Sequence, residues 1–268
     1  MTSLANIPSE ARCKQVVHYL LTNKTTCKMC DGTLSWRRNR DYGWCSKCRT
    51  KIRPKAQMWF RGSKLTYRQL FMLLWCWQQR QSPGAARVAT GLSYTTVRRW
   101  YWRFRWLVPL EKARQLLDGT VEVDEAWFGK RKFGGQTIVM GAIERGTGRL
   151  KLATVPDTER DSLEGFVEEH VAKGSLVVTD AKTGYNSLTS RGFCHESWNH
   201  SKGHFAGTNH IESNWSAMKR HLRKLYGCVP TARLHHFLHE WEARHNRPEL
   251  FDSPQTFLRE TLKLGFVD

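Results

Sequence analysis

Val121-Glu122-Val123-Asp124-Glu125 alternates valine with acidic residues. A period of two is the pattern of a strand with one face buried. It sets a carboxylate, Asp124, in the middle of a strand. Two later carboxylates have settings that let them join it. Asp180 directly follows the apolar run Leu176-Val177-Val178, which puts it at the rim of a sheet. Glu212 lies in 209–225, which reads as a long helix. Lys219 stands seven residues on, almost two turns, so Glu212, Trp215 or Ser216, and Lys219 fall roughly on one face.

The neighbouring segments extend the pattern. Segment 136–143 is a second apolar strand, Arg145-Gly146-Thr147-Gly148 a turn, and 150–155 a third strand. These three are expected to pair as an antiparallel meander. A helix over 162–172, a strand over 175–179, a short helix over 185–190 and a strand over 193–198 follow. The order of strands and helices, with the helix at 209–225 and another at 234–241, is that of a ribonuclease-H-like fold. We expect an α+β multidomain protein with a ribonuclease-H-like α/β catalytic domain at 120–250.

Upstream the composition is different. Of 268 residues, 40% are apolar and 12% aromatic, which favours an ordered chain. The formal charge is +19, and it is segregated. Residues 1–119 hold 23 Lys and Arg against 5 Asp and Glu, whereas residues 120–268 hold 20 against 19. A half-chain this basic predicts an acidic polymer as partner, nucleic acid before membrane lipid. No apolar run is long enough for a membrane span, and Met1 to Lys14 lack an apolar leader core.

Cys27-Lys28-Met29-Cys30 and Cys45-Ser46-Lys47-Cys48 are two CxxC turns. Two such turns supply four thiolates to one tetrahedral zinc, and such a closed site holds a fold without performing chemistry. Leu34-Ser35-Trp36-Arg37 and Tyr42-Gly43-Trp44 look like strands of a zinc ribbon. Arg37, Arg38, Arg40, Arg49, Lys51, Arg53 and Lys55 surround it and are candidate phosphate contacts. Further on, 64–107 reads as helical. An apolar run through Trp77 is broken by Ser82-Pro83-Gly84. A short helix at 85–89, the turn Gly91-Leu92-Ser93 and a basic helix at 94–107 have the outline of a helix-turn-helix. Ser93 is its expected cap. Thr95, Thr96, Arg98, Arg99 and Arg103 are candidate DNA contacts, and Trp100, Trp102, Phe104 and Trp106 candidate core.

Phosphodiester chemistry needs an activated water or 3′-hydroxyl, and neutralisation of charge on the phosphoryl and leaving oxygens. Two divalent metals about 4 Å apart supply both. Magnesium takes hard oxygen ligands and few protein contacts. Two aspartates and a glutamate on different elements suffice.

The segments from Val121 to Gly129, Ile143 to Gly148, Val178 to Tyr185 and His210 to Lys219, with Leu225-Tyr226-Gly227, resemble the DDE transposases of the Merlin superfamily and their bacterial insertion-sequence relatives. The resemblance covers most of the chain, the zinc ribbon included. It implies a ribonuclease-H-like domain, Mg²⁺ or Mn²⁺, and cut-and-paste movement of an element with terminal inverted repeats. Asp124 and Asp180 match its two aspartates, and Glu212 with Lys219 its glutamate and lysine. Some bacterial relatives carry asparagine as third member. Asn209, one turn before Glu212, is the alternative, although an anionic oxygen binds a hard dication better than an amide oxygen.

Glu122 and Glu125 flank Asp124 and are expected at the surface or supporting the site. His195, His200, His204 and His210 are too irregularly spaced for a zinc cluster, although His204 or His210 could touch DNA or the attacking water. His235, His236 and His239 are expected to pack or face solvent. The expected layout is a lead-in (1–22), zinc ribbon (23–56), helix-turn-helix region and linker (60–119), catalytic domain (120–250) and a C-terminal tail (251–268) with one more helix. The expected partner is double-stranded DNA, both inverted repeats and target, held by at least a homodimer because two ends must be joined. The expected location is the bacterial cytoplasm and nucleoid, or the nucleus of a eukaryote. Two competing readings are a non-catalytic DNA-binding regulator descended from a transposase, and a nuclease that cuts without joining.

Overall fold

The computed structural model describes residues 7–22, 26–27, 29–36, 42–53, 55, 58–108, 115–129, 135–181, 183–198 and 208–261. It divides into two compact units, Met1–Pro109 with Glu249–Asp268, and Leu110–Pro248.

In the first unit three short strands, β1 (Leu34–Trp36), β2 (Gly43–Cys45) and β3 (Lys51–Ile52), pair antiparallel in that order. The third strand was not among the expected ones. Leu34 and Ile52 close a small core over Cys27 and Cys45. Helices α1 (Glu10–Thr22) and α2 (Tyr67–Gln78) are tied through a carboxylate. Glu10 accepts the backbone N–H groups of Tyr67 and Arg68 at 3.0 and 2.7 Å, satisfying two donors that the first turn of α2 leaves open. α2 ends before the expected break at Ser82-Pro83-Gly84, and the short helix starts two residues earlier than expected: α3 (Pro83–Thr90) has Ser82 as its cap and Pro83 in its first turn. The missing proline N–H costs nothing there. Gly91, at φ 69°, ends α3 in the left-handed conformation. α4 (Tyr94–Trp106) starts at Ser93, whose Oγ accepts from Thr96 N at 3.2 Å. Val97, Trp100, Tyr101 and Phe104, spaced three and four apart, bury one face of it.

The helix expected in the C-terminal tail is α8 (Pro254–Thr261), which packs into this unit. The Phe257 ring lies 5.3 Å from Trp77 and 6.1 Å from Phe104. Trp59 Nε1 donates to the Thr261 hydroxyl at 3.1 Å. The chain end thus completes a core that starts some two hundred residues earlier.

The second unit is built on a five-stranded sheet: β4 (Thr120–Phe128), β5 (Thr137–Glu144), β6 (Leu150–Val155), β7 (Leu176–Asp180) and β8 (Cys194–Trp198). The spatial order is β6-β5-β4-β7-β8. The first three strands form the expected antiparallel meander, and β7 and β8 join parallel. This is the ribonuclease-H-like arrangement. A parallel neighbour needs a crossover, which α5 (Arg160–His170) provides. Leu163, Phe166 and Val167 of α5 pack with Val121, Val123, Met140 and Val177 on one face of the sheet. The helix expected at 185–190 is instead a single 3-10 turn, Thr183–Tyr185, followed by turns.

α6 (Asn209–Tyr226) lies on the opposite face. α7 (Leu234–Asn246) extends one turn beyond the expected 241. The additional residues cover the edge of β6. Asn246 accepts from Leu150 N and donates to Leu150 O, both at 2.8 Å, and Glu242 accepts from Leu152 N. An open edge that would invite another strand is thereby closed.

Candidate active site

β4 and β7 run parallel with Thr120 opposite Leu176, Val121 opposite Val177 and Glu122 opposite Val178. The ladder stops there. Two residues further in the same register, Asp124 falls beside Asp180, and both side chains leave the sheet on the face that carries Glu122. Glu125 leaves on the other face, yet beyond the end of the ladder its carboxylate still reaches the pair. Oxygens of Asp124, Glu125 and Asp180 all lie within 4.8 Å of one another. Glu125, expected as a surface or supporting residue, is 6% exposed and is one of the three. Strand parity argued against it, and no sequence signal marked where the ladder would end. Tyr185 donates its hydroxyl to Glu125 Oε2 at 3.1 Å. Burial, and then the charges of Asp180 and Asp124, push the tyrosine's pKa up, so it stays a donor.

α6 is held against this face by three devices. Glu122, fully buried, accepts the backbone N–H groups of His210 and Ile211 at 2.9 and 3.2 Å. It thereby caps a helix whose own N-cap residue, Thr208, makes no side-chain cap. Its carboxylate also meets His210 Nδ1 at 2.7 Å and Arg145 Nε at 2.8 Å. Burial pushes the Glu122 pKa up, but His210, Arg145 and the Ile211 N–H outweigh it and hold the carboxyl below its ordinary value. Gly141, opposite Asp124 on β5, provides the space for α6: a Cβ there would sit 2.6 Å from the Trp215 ring and 2.9 Å from Ile211. Trp215, seated on that glycine, donates Nε1 to Asp124 Oδ2 at 3.0 Å. The indole thus fixes the direction of the aspartate.

Glu212 is exposed in the first turn of α6 and accepts from the Thr208 hydroxyl at 2.7 Å. It is outside the 4.8 Å group. Its direction follows from the helix, where successive residues are about 100° apart. Asn214 bonds α7, taking Trp241 Nε1 at 2.8 Å and meeting His245 Nε2 at 3.1 Å. Glu212 projects about 160° round the axis from Asn214. It therefore occupies the flank away from α7, on the side of β7. Asn209 is about 120° from Trp215, against about 60° for Glu212, and so points further from the sheet. Lys219 is exposed, with Nζ 5.4 Å from the centre of the Phe128 ring.

Of the histidines, His195 bonds Thr179 Oγ1 at 2.9 Å. His200 and His204 lie outside the described residues, as do Arg37, Arg38 and Arg40. His236 is buried, and His235 is exposed.

In the first unit Cys27, Cys30, Cys45 and Cys48 bring their sulfurs within 4.8 Å of one another. Thiolates 2.3 Å from one zinc would be about 3.8 Å apart, so the set fits that ion. The Thr50 hydroxyl, 2.9 Å from Cys48 Sγ, lowers that thiol to about 6, while burial raises Cys45 to about 11. On α4, Thr95, Arg98 and Arg99 are exposed and Thr96 is half-buried. Arg103 instead turns onto Trp59 and Trp100, with its guanidinium 6.0 and 5.6 Å from their rings, and burial lowers its pKa. Lys51 and Arg53 are exposed.

Among known families, the ISXO2-like transposase domain matches residues 116–246. Those residues form a DDE-type transposase domain. Asp124, Glu125, Asp180, Glu212 and Lys219 all fall inside it, and the four cysteines and α4 fall before it. No curated protein matches the chain. Solved structures similar to it include the catalytic core of BIV integrase, 13% identical over 48% of this chain and 84% of that one, with a TM-score of 0.36. The catalytic core of HTLV-2 integrase in complex with magnesium is similar in a dimeric form (9% identical, 54% and 97% covered, TM-score 0.35) and a trimeric form (10%, 55% and 97%, 0.35). The transposase domain thus carries an acidic group of hard oxygen donors, a set suited to magnesium or manganese.

Proposed function

We propose that the protein binds the terminal inverted repeats of a mobile element and catalyses metal-dependent cleavage and strand transfer. The observation that carries this is the convergence of Asp124, Glu125 and Asp180 within 4.8 Å. Three carboxylates so close repel one another and call for a cation. Bound Mg²⁺ or Mn²⁺ would offset charge on the phosphoryl group and make water or a 3′-hydroxyl nucleophilic. Asp124, Asp180 and Glu125 would hold it. Trp215 keeps Asp124 oriented. Glu212 is the further carboxylate, in preference to Asn209, because its side of α6 is nearer to the sheet. Lys219 would contact a phosphate beside the acidic group.

The first unit would grip the duplex. Structural zinc on Cys27, Cys30, Cys45 and Cys48 would hold the three-stranded sheet together. α3 and α4 serve as a helix-turn-helix, with Thr95, Arg98 and Arg99 on the exposed side of α4. Lys51 and Arg53 add phosphate contacts. Two ends must be held at once, so a dimer or larger assembly is the active form.

The test uses purified full-length protein, Mg²⁺ and a duplex carrying the repeats that flank the gene. Cleavage and joining are expected from the wild type. In Asp124→Asn both should fall by roughly a thousandfold or more, with duplex binding retained. Cleavage that survives this substitution overturns the proposal. Binding without cleavage by the wild type would indicate a regulator, and cleavage without joining a nuclease.

A further inference from the structure

Beyond the carboxylates, β4 ends in a pocket of about 250 Å³. Trp127 and Phe128 line it together with Leu222 of α6 and Leu234 of α7, and Lys219 and Arg223 bring positive charge. No carboxylate is among the described residues that line it. We infer that this pocket receives one unstacked nucleobase of the DNA strand being processed, with the adjoining phosphates on Lys219 and Arg223. The inference rests on the reading of the protein as an enzyme that handles DNA ends.

Size, polarity and position carry it. Ordinary ligand clefts run to about 300–1,000 Å³, so this cavity suits one flat ring system better than a whole nucleotide cofactor. Aromatic and aliphatic walls favour a planar, weakly polar group, and any base offers a π-face to an indole. Trp127 is 42% exposed although its neighbours Ala126 and Phe128 are buried. Aromatic side chains that share a pocket with two cations are the combination that binds single-stranded nucleic acid. Phe128, four residues beyond Asp124 and on the same face of β4, lies roughly 13 Å from it. A base seated there would belong to a nucleotide close to the one under attack. Lys219 and Arg223 are four residues apart on α6 and so share a face.

The experiment is photocrosslinking of the full-length protein to a duplex with a short single-stranded extension carrying iododeoxyuridine. Adducts are expected on the peptide containing Trp127, and Cys228→Trp, which sets a bulky ring at the pocket wall, should diminish them. Adducts confined to other peptides, or undiminished in a folded Cys228→Trp variant, overturn the inference. A second measurement does not use Cys228→Trp. The wild type should bind oligothymidylate about tenfold more tightly than an abasic oligomer of equal length, and Trp127→Leu should lose most of that preference. Equal affinities in the wild type would also overturn it. Metal-dependent cleavage of the repeats with adducts elsewhere removes the pocket alone. Adducts at Trp127 without cleavage leave the pocket standing and remove the transposition reading.

Discussion

Asp124 takes part of its direction from Trp215. Trp215→Phe keeps an aromatic ring over Gly141 but removes the donor to Asp124 Oδ2. Loss of a single orienting hydrogen bond should slow single-turnover cleavage about tenfold while gel-shift affinity stays the same. Equal loss of binding would mean that Trp215 only supports α6. Glu125 poses the other question at this scale. Its carboxylate is within reach of both aspartates, though strand alternation starts it on the opposite face. Glu125→Gln should raise the Mg²⁺ concentration needed for half-maximal cleavage by roughly tenfold, with partial rescue at high metal. An unchanged metal dependence would limit Glu125 to holding Tyr185.

α6 is the element on which the site depends, and its anchor is electrostatic. Glu122→Gln keeps one acceptor for the helix N-terminus but removes the charge facing Arg145 and His210. We expect a loss of about 2–3 kcal/mol in denaturant unfolding. The pH dependence has a definite sign. The folded-state pKa of Glu122 is below its ordinary value of 4.5, so its contribution is fully present above that value and is lost as pH falls through the lowered one. The stability gap between wild type and Glu122→Gln should therefore narrow on acidification below about pH 4.5. Glu10, whose pKa is also held down despite its burial by the Arg68 and Tyr67 N–H groups, titrates in both proteins and cancels in the difference. A gap that stays constant through this range would show that Glu122 acts by packing alone.

For the molecule as a whole, the division of charge is the organising fact. Excess positive charge lies in residues 1–119, and the acidic group lies in the other half. Binding and chemistry should therefore be separable. Removing zinc with a chelator should unfold the three-stranded sheet and weaken duplex binding at least tenfold, while the unfolding transition of the transposase domain remains. Circular dichroism and anisotropy read the two outcomes. Loss of both transitions together would show that the halves do not fold independently.

Much of this was legible in one dimension because it is periodic or local. The alternation in Val121–Glu125, the apolar run ahead of Asp180 and the CxxC spacings depend on neighbours a few residues away. Those patterns were enough for the meander, the fourth strand and the pairing of Asp124 with Asp180. Other features depended on elements distant in the chain. Glu122 reads as an ordinary outward strand residue until α6 arrives above it. Glu125 joins the site only because the β4–β7 ladder ends at Glu122. The last helix is legible as a helix, but that it packs on Trp59 and Trp77 is not. Sequence by itself determined which elements form and which face each side chain takes, since backbone geometry imposes both. Only the tertiary structure decided which side chains meet, because a few ångströms of helix placement separate a buried cap or a metal ligand from a solvated charge.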